Sequence, residues 1–203
     1  MKVLLINGSP HASGCTYTAL SEVASELLNQ GITTQIIHLG KDPIPGCIAC
    51  GACRKNGGLC FRNDIVNDVL PLAAQSDGFV FGSPVYYASM SGQMSAFLDR
   101  LFFSGSALLA NKPGAAIVSC RRGGASAAFD QLNKYFTINN MPVVPSQYWN
   151  SVHGAAAGEA LQDLEGLQTM RTLARNMAWM LRDLNREHIP TPEDKKLKTS
   201  FIR

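Results

Sequence analysis

Val3-Leu4-Leu5-Ile6 is an unbroken apolar run that empties into Asn7-Gly8-Ser9-Pro10-His11-Ala12-Ser13-Gly14-Cys15-Thr16-Tyr17-Thr18 before a helical pattern begins. A buried strand that turns through glycine and hydroxyl residues straight into a helix leaves unpaired backbone N–H groups and the positive end of a helix dipole aimed at one spot. That spot suits an anion. Ser9, Ser13, Thr16 and Thr18 can add O–H donors, while Gly8 and Gly14 allow close backbone approach or a positive φ. The plainer reading is a polar turn capped by Thr16. The glycines do not make G-x-G-x-x-G and no Gly-Lys-Ser/Thr follows, so dinucleotide and triphosphate loops are disfavoured. Hydroxyls and amides without a lysine suit a terminal phosphate monoester, such as that of FMN.

The chain then alternates. After strand 2–6, Leu20, Val23, Ala24, Leu27 and Leu28 repeat at helical spacing until Gly31, and residues 34–39 read as a second strand. A proline-, glycine- and cysteine-rich segment, 43–62, has no periodicity and reads as an insertion or a site. Asp64 can cap a helix through Val66, Val69 and Leu70, with Pro71 kinking or shortening it. Residues 78–82 form a third strand leading into Ser83-Pro84-Val85-Tyr86-Tyr87, 90–103 a helix, 115–119 a fourth strand, and a helix passes through Phe129, Leu132 and Phe136. A fifth strand is expected around Met141-Pro142-Val143-Val144, and a last helix from about Leu161 to Asn185. This alternation implies an α/β three-layer sandwich with a five-stranded parallel sheet in flavodoxin-like order 2-1-3-4-5.

With 203 residues, 46% of them hydrophobic, one core is expected: a single domain over 1–190 with the insertion at 43–62 and a tail at 191–203. A net charge of +3, partly from Lys195, Lys196, Lys198 and Arg203, is too weak for a nucleic-acid footprint. The apolar start is too short for a signal peptide and no run reaches the roughly 20 residues of a membrane span, so a cytoplasmic protein without membrane partners is expected. In that compartment the six cysteines stay reduced and ask for a metal, redox or packing explanation.

In an open parallel sheet ligands bind outside the carboxyl ends of the strands, where the winding reverses. The loops after strands one, three and four leave that edge. They carry residues 9–18, 83–89 and 120–124. Pro84, Val85, Tyr86 and Tyr87 can offer backbone amides and an aromatic surface to a flavin ring, or be an ordinary aromatic pair at a strand end. Arg121 and Arg122 can stabilise charge near N1 and O2 of a reduced flavin or meet a nicotinamide phosphate; solvated arginines are the alternative. Tyr148 and Trp149 are candidates for stacking walls, with core or interface packing the commoner role.

Gly8-Ser9-Pro10-His11-x-x-Gly14-x-Thr16, Gly82-Ser83-Pro84-Val85-Tyr86, the Cys-x2-Cys-x2-Cys run and Asp64 together resemble the NADPH-dependent FMN reductase family over nearly the whole chain. The 120–125, 168–173 and 200–203 stretches resemble its clostridial FMN-dependent azoreductase branch. The resemblance implies FMN held by Ser9, His11, Gly14, Cys15, Thr16 and Thr18 at the phosphate, and by Pro84, Val85, Tyr86, Tyr87, Arg121 and Gly123 at the ring. It also implies a homodimer or homotetramer with flavin sites near subunit boundaries. Cys15 departs from relatives that carry Asn or Ser there, but its backbone N–H remains available.

Cys47-x2-Cys50-x2-Cys53-x6-Cys60 matches the first three ligands of ferredoxin-type runs and resembles the iron-sulfur flavoproteins on the same fold. The longer last spacing makes reduced thiols that shape the loop the preferred reading. A [4Fe–4S] cluster comes second, and zinc or a redox disulfide last. The four histidines show no metal-ligand spacing, and no Gly-x-Ser-x-Gly elbow supports hydrolysis. The expectation is therefore hydride transfer from NAD(P)H through FMN to a small acceptor (quinone, azo compound, nitroaromatic or flavin), with no catalytic side chain because the chemistry sits on flavin N5. The rivals are an electron-transfer carrier, flavodoxin-like or iron-sulfur, and a flavin-fold interaction module.

Overall fold

The computed structural model describes residues 1–184, so the boundary at 190 and the tail at 191–203 lie outside the described residues. The strands are β1 (Lys2–Asn7), β2 (Thr33–His38), β3 (Gly78–Tyr86), β4 (Ser89–Met90), β5 (Gly114–Cys120) and β6 (Ser151–His153). The helices are α1 (Cys15–Asn29), α2 (Ile65–Ala74), α3 (Gly92–Leu109), α4 (Ala125–Ile138), α5 (Ala157–Ala160) and α6 (Leu164–Leu184). Sheet order is β2-β1-β3-β5-β6, all parallel, with β4 added antiparallel on β3. Counting parallel strands alone, this is the expected 2-1-3-4-5 winding.

Period-two alternation along the central strands divides the core into two layers. Leu4, Ile6, Phe79, Phe81, Ala116 and Val118 face α2, α3 and α4. Val3, Leu5, Val80, Ala115 and Ile117 face α1 and α6. Phe81 stacks on Phe136 at 5.2 Å and meets Phe102 edge-on at 6.0 Å, which fixes α3 and α4 against the sheet.

Three expectations are corrected. Residues 141–144 make only a single bridge, Gly114 to Val143, because Pro142 and Pro145 remove ladder donors on either side. The fifth parallel strand is instead Ser151–His153. Asp163 Oδ2 accepts the His153 N–H at 2.7 Å and closes that sheet edge. The last helix begins at Leu164, where Asp163 Oδ1 accepts from Gly166 N at 2.9 Å, and a four-residue α5 precedes it. Third, α3 starts at Gly92 under the Ser91 cap (Oγ accepting from Met94 N, 3.2 Å) and runs six residues past Phe103. In α2, Asp64 caps as expected and Pro71 is accommodated, the helix continuing to Ala74.

Two ion pairs, Arg171 with Glu22 and Arg175 with Glu26, tie α1 to α6, and the second has the more buried carboxylate. Buried Glu26 accepts from Arg175 Nε at 2.7 Å, and the hydrogen bond from Arg175 holds its carboxyl below the ordinary range although burial opposes this. A depressed folded-state pKa contributes stability that is present above the unfolded carboxylate pKa and lost as pH falls through the folded one. The unfolding midpoint in urea should therefore fall as pH drops below about 4.3, and Glu26→Gln should flatten that fall; equal slopes in both proteins would contradict the assignment.

Candidate functional site

The cradle at the end of β1 is braced from four directions. Gly8 N donates to Gly82 O (2.8 Å) and Ser91 Oγ donates to Gly8 O (2.7 Å). Asn7, fully buried, accepts from Ser9 N (3.0 Å) and donates to Ala12 O (3.4 Å). His38 Nε2 donates to Ser9 O at 2.8 Å. Ser9 Oγ already accepts from His11 N (3.1 Å), which leaves its hydroxyl proton free for a ligand. Neither Gly8 nor Gly14 takes a positive φ. Gly8 is required by packing instead, since a Cβ there would lie 2.7 Å from Met94 Cε and 2.9 Å from Met94 Cβ.

Helix α1 follows with Gly14 at its N-cap and no side-chain capping bond, so Thr16 is not the cap. The first N–H groups and the dipole of α1 therefore face the crevice unsatisfied by any cap. Thr16 Oγ1 lies 2.8 Å from Ser119 Oγ, both buried, and one hydroxyl of the pair has a proton to donate. Thr18 turns away: its Oγ1 donates to Gly14 O at 3.3 Å within its own helix.

Across the crevice, β3 and β4 form a hairpin with Tyr86 opposite Ser89. Its turn residues Tyr87 (φ 50°) and Ala88 (φ 58°) are both left-handed, a conformation that costs non-glycine residues about 1–2 kcal/mol each. Gly124, at φ 89°, packs beneath Ala88 and joins this hairpin to the loop after β5. Tyr86 is half-exposed along the crevice, whereas Tyr87 is wholly exposed at the tip.

One crevice of about 620 Å³ gathers Ser9, His11, Ser13, Gly14, Cys15 and Thr16 from the first loop, Pro84, Val85 and Tyr86 from the hairpin, and Arg121. Thr18, Tyr87 and Gly123 are outside its lining. Among the described residues no carboxylate pairs with Arg121. Cys120 also lines it, from the expected 120–124 loop, as do Ser119 and residues 154–157, which no sequence signal marks. The loop at 154–157 leaves β6, and placing the last strand at 141–144 hid the fact that it opens on the same edge. Cys15 Sγ donates to Gly154 O at 3.5 Å; burial, aided by the Glu159 charge, pushes this thiol up, so it stays protonated. Burial pushes the Cys120 thiol up as well. Backbone amides at a helix start, neutral hydroxyls and thiols, an apolar strand end and one guanidinium are a donor set that fits a phosphate monoester carrying a flat ring.

Tyr148 and Trp149 stand elsewhere, on the rim of a separate groove with Phe129 and Val143. The insertion brings Cys47, Cys50, Cys53 and Cys60 to a second, small recess with Arg62, Arg100 and Phe103. All four are free thiols: Cys53 is buried and donates to Phe103 O (3.8 Å), while Cys47 and Cys50 are exposed. Among the described residues no three His, Cys, Asp or Glu side chains, these cysteines included, stand close enough together to hold a metal ion.

The family model for NADPH-dependent FMN reductase matches residues 1–156. An iron-sulfur flavoprotein of Methanocaldococcus jannaschii is 31% identical over 194 residues, covering 90% of this chain and 98% of that protein. Among solved structures, RosB with bound 8-demethyl-8-formylriboflavin-5'-phosphate is similar with a TM-score of 0.75 at 14% identity, covering 100% of this chain and 92% of that one. A flavodoxin from the domain Archaea is similar with a TM-score of 0.62 at 16% identity, covering 90% and 99%. With that fold, that crevice and that match, the chain belongs to the NADPH-dependent FMN reductase family: it is an FMN-binding oxidoreductase of flavodoxin-like fold that counts iron-sulfur flavoproteins among its relatives.

Proposed function

We propose that the chain passes reducing equivalents from NAD(P)H through FMN to a small flat acceptor, a quinone, azo compound, nitroaromatic or free flavin. The observation that supports this most is the single crevice shared by the uncapped start of α1, the Thr16–Ser119 hydroxyl pair, Pro84–Tyr86 and Arg121. In this reading Ser9, Thr16 and the backbone of Gly14 and Cys15 hold the phosphate, with His11 at the lip. Pro84, Val85 and Tyr86 lie along the ring. Arg121 offsets negative charge at its pyrimidine edge or meets a nicotinamide phosphate. Bound FMN supplies the two-electron chemistry. The protein positions the ring and leaves one face open, so that nicotinamide and acceptor use the same opening in turn. The wholly exposed Tyr87 beside the crevice supports a homodimer or homotetramer with the ring near the subunit boundary.

Anaerobic mixing of FMN-loaded protein with NADH or NADPH should bleach the flavin absorbance, and a quinone or azo dye should restore it with steady turnover. Absence of bleaching with either nicotinamide would remove the enzyme reading and leave the carrier. Turnover of azo dyes as fast as quinones would support the azoreductase reading.

A second reading adds a [4Fe–4S] centre held by Cys47, Cys50, Cys53 and Cys60. It is supported by the Cys-x2-Cys-x2-Cys spacing and by the iron-sulfur flavoprotein names among the relatives, and opposed by the arrangement of the described residues, which bring no three ligands together. Iron and sulfide counts on anaerobically purified protein test it.

A further inference from the structure

The insertion carries Arg54, Lys55 and Arg62, with no carboxylate from residue 54 through 62. Two of these cations sit over exposed rings: the Arg54 guanidinium carbon lies 5.7 Å from the Phe103 centroid, and that of Arg62 lies 5.0 Å from the Phe61 centroid. Ile48 and Phe61 are more than half exposed, and with Phe103 they line one recess. The patch is held in place from beneath. Arg100, 2% exposed on α3, donates from Nη1 to Asp64 Oδ2 (2.6 Å) and Pro45 O (3.4 Å), and from Nη2 to Asp64 Oδ1 (2.9 Å) and Arg62 O (3.4 Å). One side chain thus pins both ends of the insertion to that helix. Aromatic rings and arginines fixed in advance are the groups that carry most binding energy at protein interfaces.

A second patch has the opposite charge. Residues 159–165 carry Glu159, Asp163 and Glu165 and no cation, around Leu161 and Leu164, which are 59% and 75% exposed. Among the described residues Arg54, Lys55 and Arg62 pair with no carboxylate, and of the three acids only Asp163 has an ion-pair partner, His153. The two patches cannot meet within one chain. The first is fastened to α3, on the sheet face that α2, α3 and α4 cover, and the second opens α6, on the face that α1 and α6 cover. The strands that precede them, β2 and β6, are the two opposite edges of the sheet. We infer that the basic, aromatic insertion of one copy docks on the acidic, leucine-bearing start of α6 in a second copy. Opposite charges steer and register the contact, while the exposed apolar side chains supply the area it buries. Such a contact is heterologous: it joins copies head to tail and closes as a ring, or as a dimer that makes it twice. The inference rests on the homo-oligomer reading above and names its surfaces. Residues 154–157, which line the flavin crevice, run directly into the acidic patch, so the contact sets the subunit boundary at the crevice rim.

The test is sedimentation velocity of the full, FMN-loaded chain over a range of protein concentrations. It compares the wild type, Arg54→Glu with Lys55→Glu, Glu159→Lys with Glu165→Lys, and the protein with all four substitutions. All four side chains are exposed, and the flavin content of each protein reports that it folds. The wild type is expected to associate, and each paired variant, which sets like charges against each other, to associate about tenfold more weakly. Mixing the two weakened proteins should restore association, as should combining all four substitutions, because each patch then faces the opposite charge. A wild type that stays monomeric at every concentration overturns the homo-oligomer reading and this inference together. Association that neither pair weakens, or that the mixture fails to restore, overturns this contact and leaves the homo-oligomer reading standing.

Discussion

Replacing Gly124 with valine is expected to destabilise the fold and to weaken FMN binding at least tenfold. Gly124 sits at φ 89°, where a side chain is strained, and its Cβ would lie 2.9 Å from Ala88 Cα, a backbone atom that cannot rotate away. The left-handed conformation costs about 1–2 kcal/mol and overpacking a further ~1–3 kcal/mol. Because Gly124 is where the β3–β4 hairpin and the loop after β5 touch, any relaxation separates Tyr86 from Arg121. Loss of about 1.4 kcal/mol at the ring is a tenfold loss of affinity. Urea unfolding and quenching of FMN fluorescence measure the two effects. Gly123→Ala is the control: its Cβ meets nothing within 4 Å and its φ is not positive, so stability should barely change. Equal effects at 123 and 124 would contradict the account of this contact.

Asn7→Leu should act on the phosphate alone. The two side chains are of similar size, but leucine leaves the Ser9 N–H and the Ala12 carbonyl without their buried partner. The buried Ser9 N–H left without its acceptor costs about 1–3 kcal/mol, whereas the carbonyl of exposed Ala12 can turn to water, and the cradle relaxes around Ser9. FMN affinity should fall by roughly 100-fold, equivalent to about 2.8 kcal/mol, while riboflavin, which has no phosphate, binds as weakly as it does to the wild type. If both flavins lose affinity equally, Asn7 supports the crevice in general and not the phosphate loop.

Much of this arrangement was legible in advance because strong local signals marked it. β1, β3 and β5 are continuous apolar runs buried on both faces, and each ends in the loop that carries its part of the crevice. β6 left almost no trace, since only Val152 of its three residues is buried. The β-branched pair Val143-Val144, set between prolines, imitated it. That single displacement also concealed residues 154–157. Thr18 carries the hydroxyl a phosphate loop needs, yet one turn into α1 a backbone carbonyl claims it. The braces of the cradle were out of reach for another reason. Ser91 meets Gly8 across 83 positions, and Arg100 meets Asp64 across 36. Only the folded sheet brings such pairs together.

The most direct trial is diffraction from crystals of the chain grown with excess FMN. The account predicts density for the phosphate against Ser9, Thr16 and the start of α1, with the ring lying along Pro84–Tyr86 within reach of Arg121. A flavin bound elsewhere, or a crevice that stays empty of it, would contradict the account.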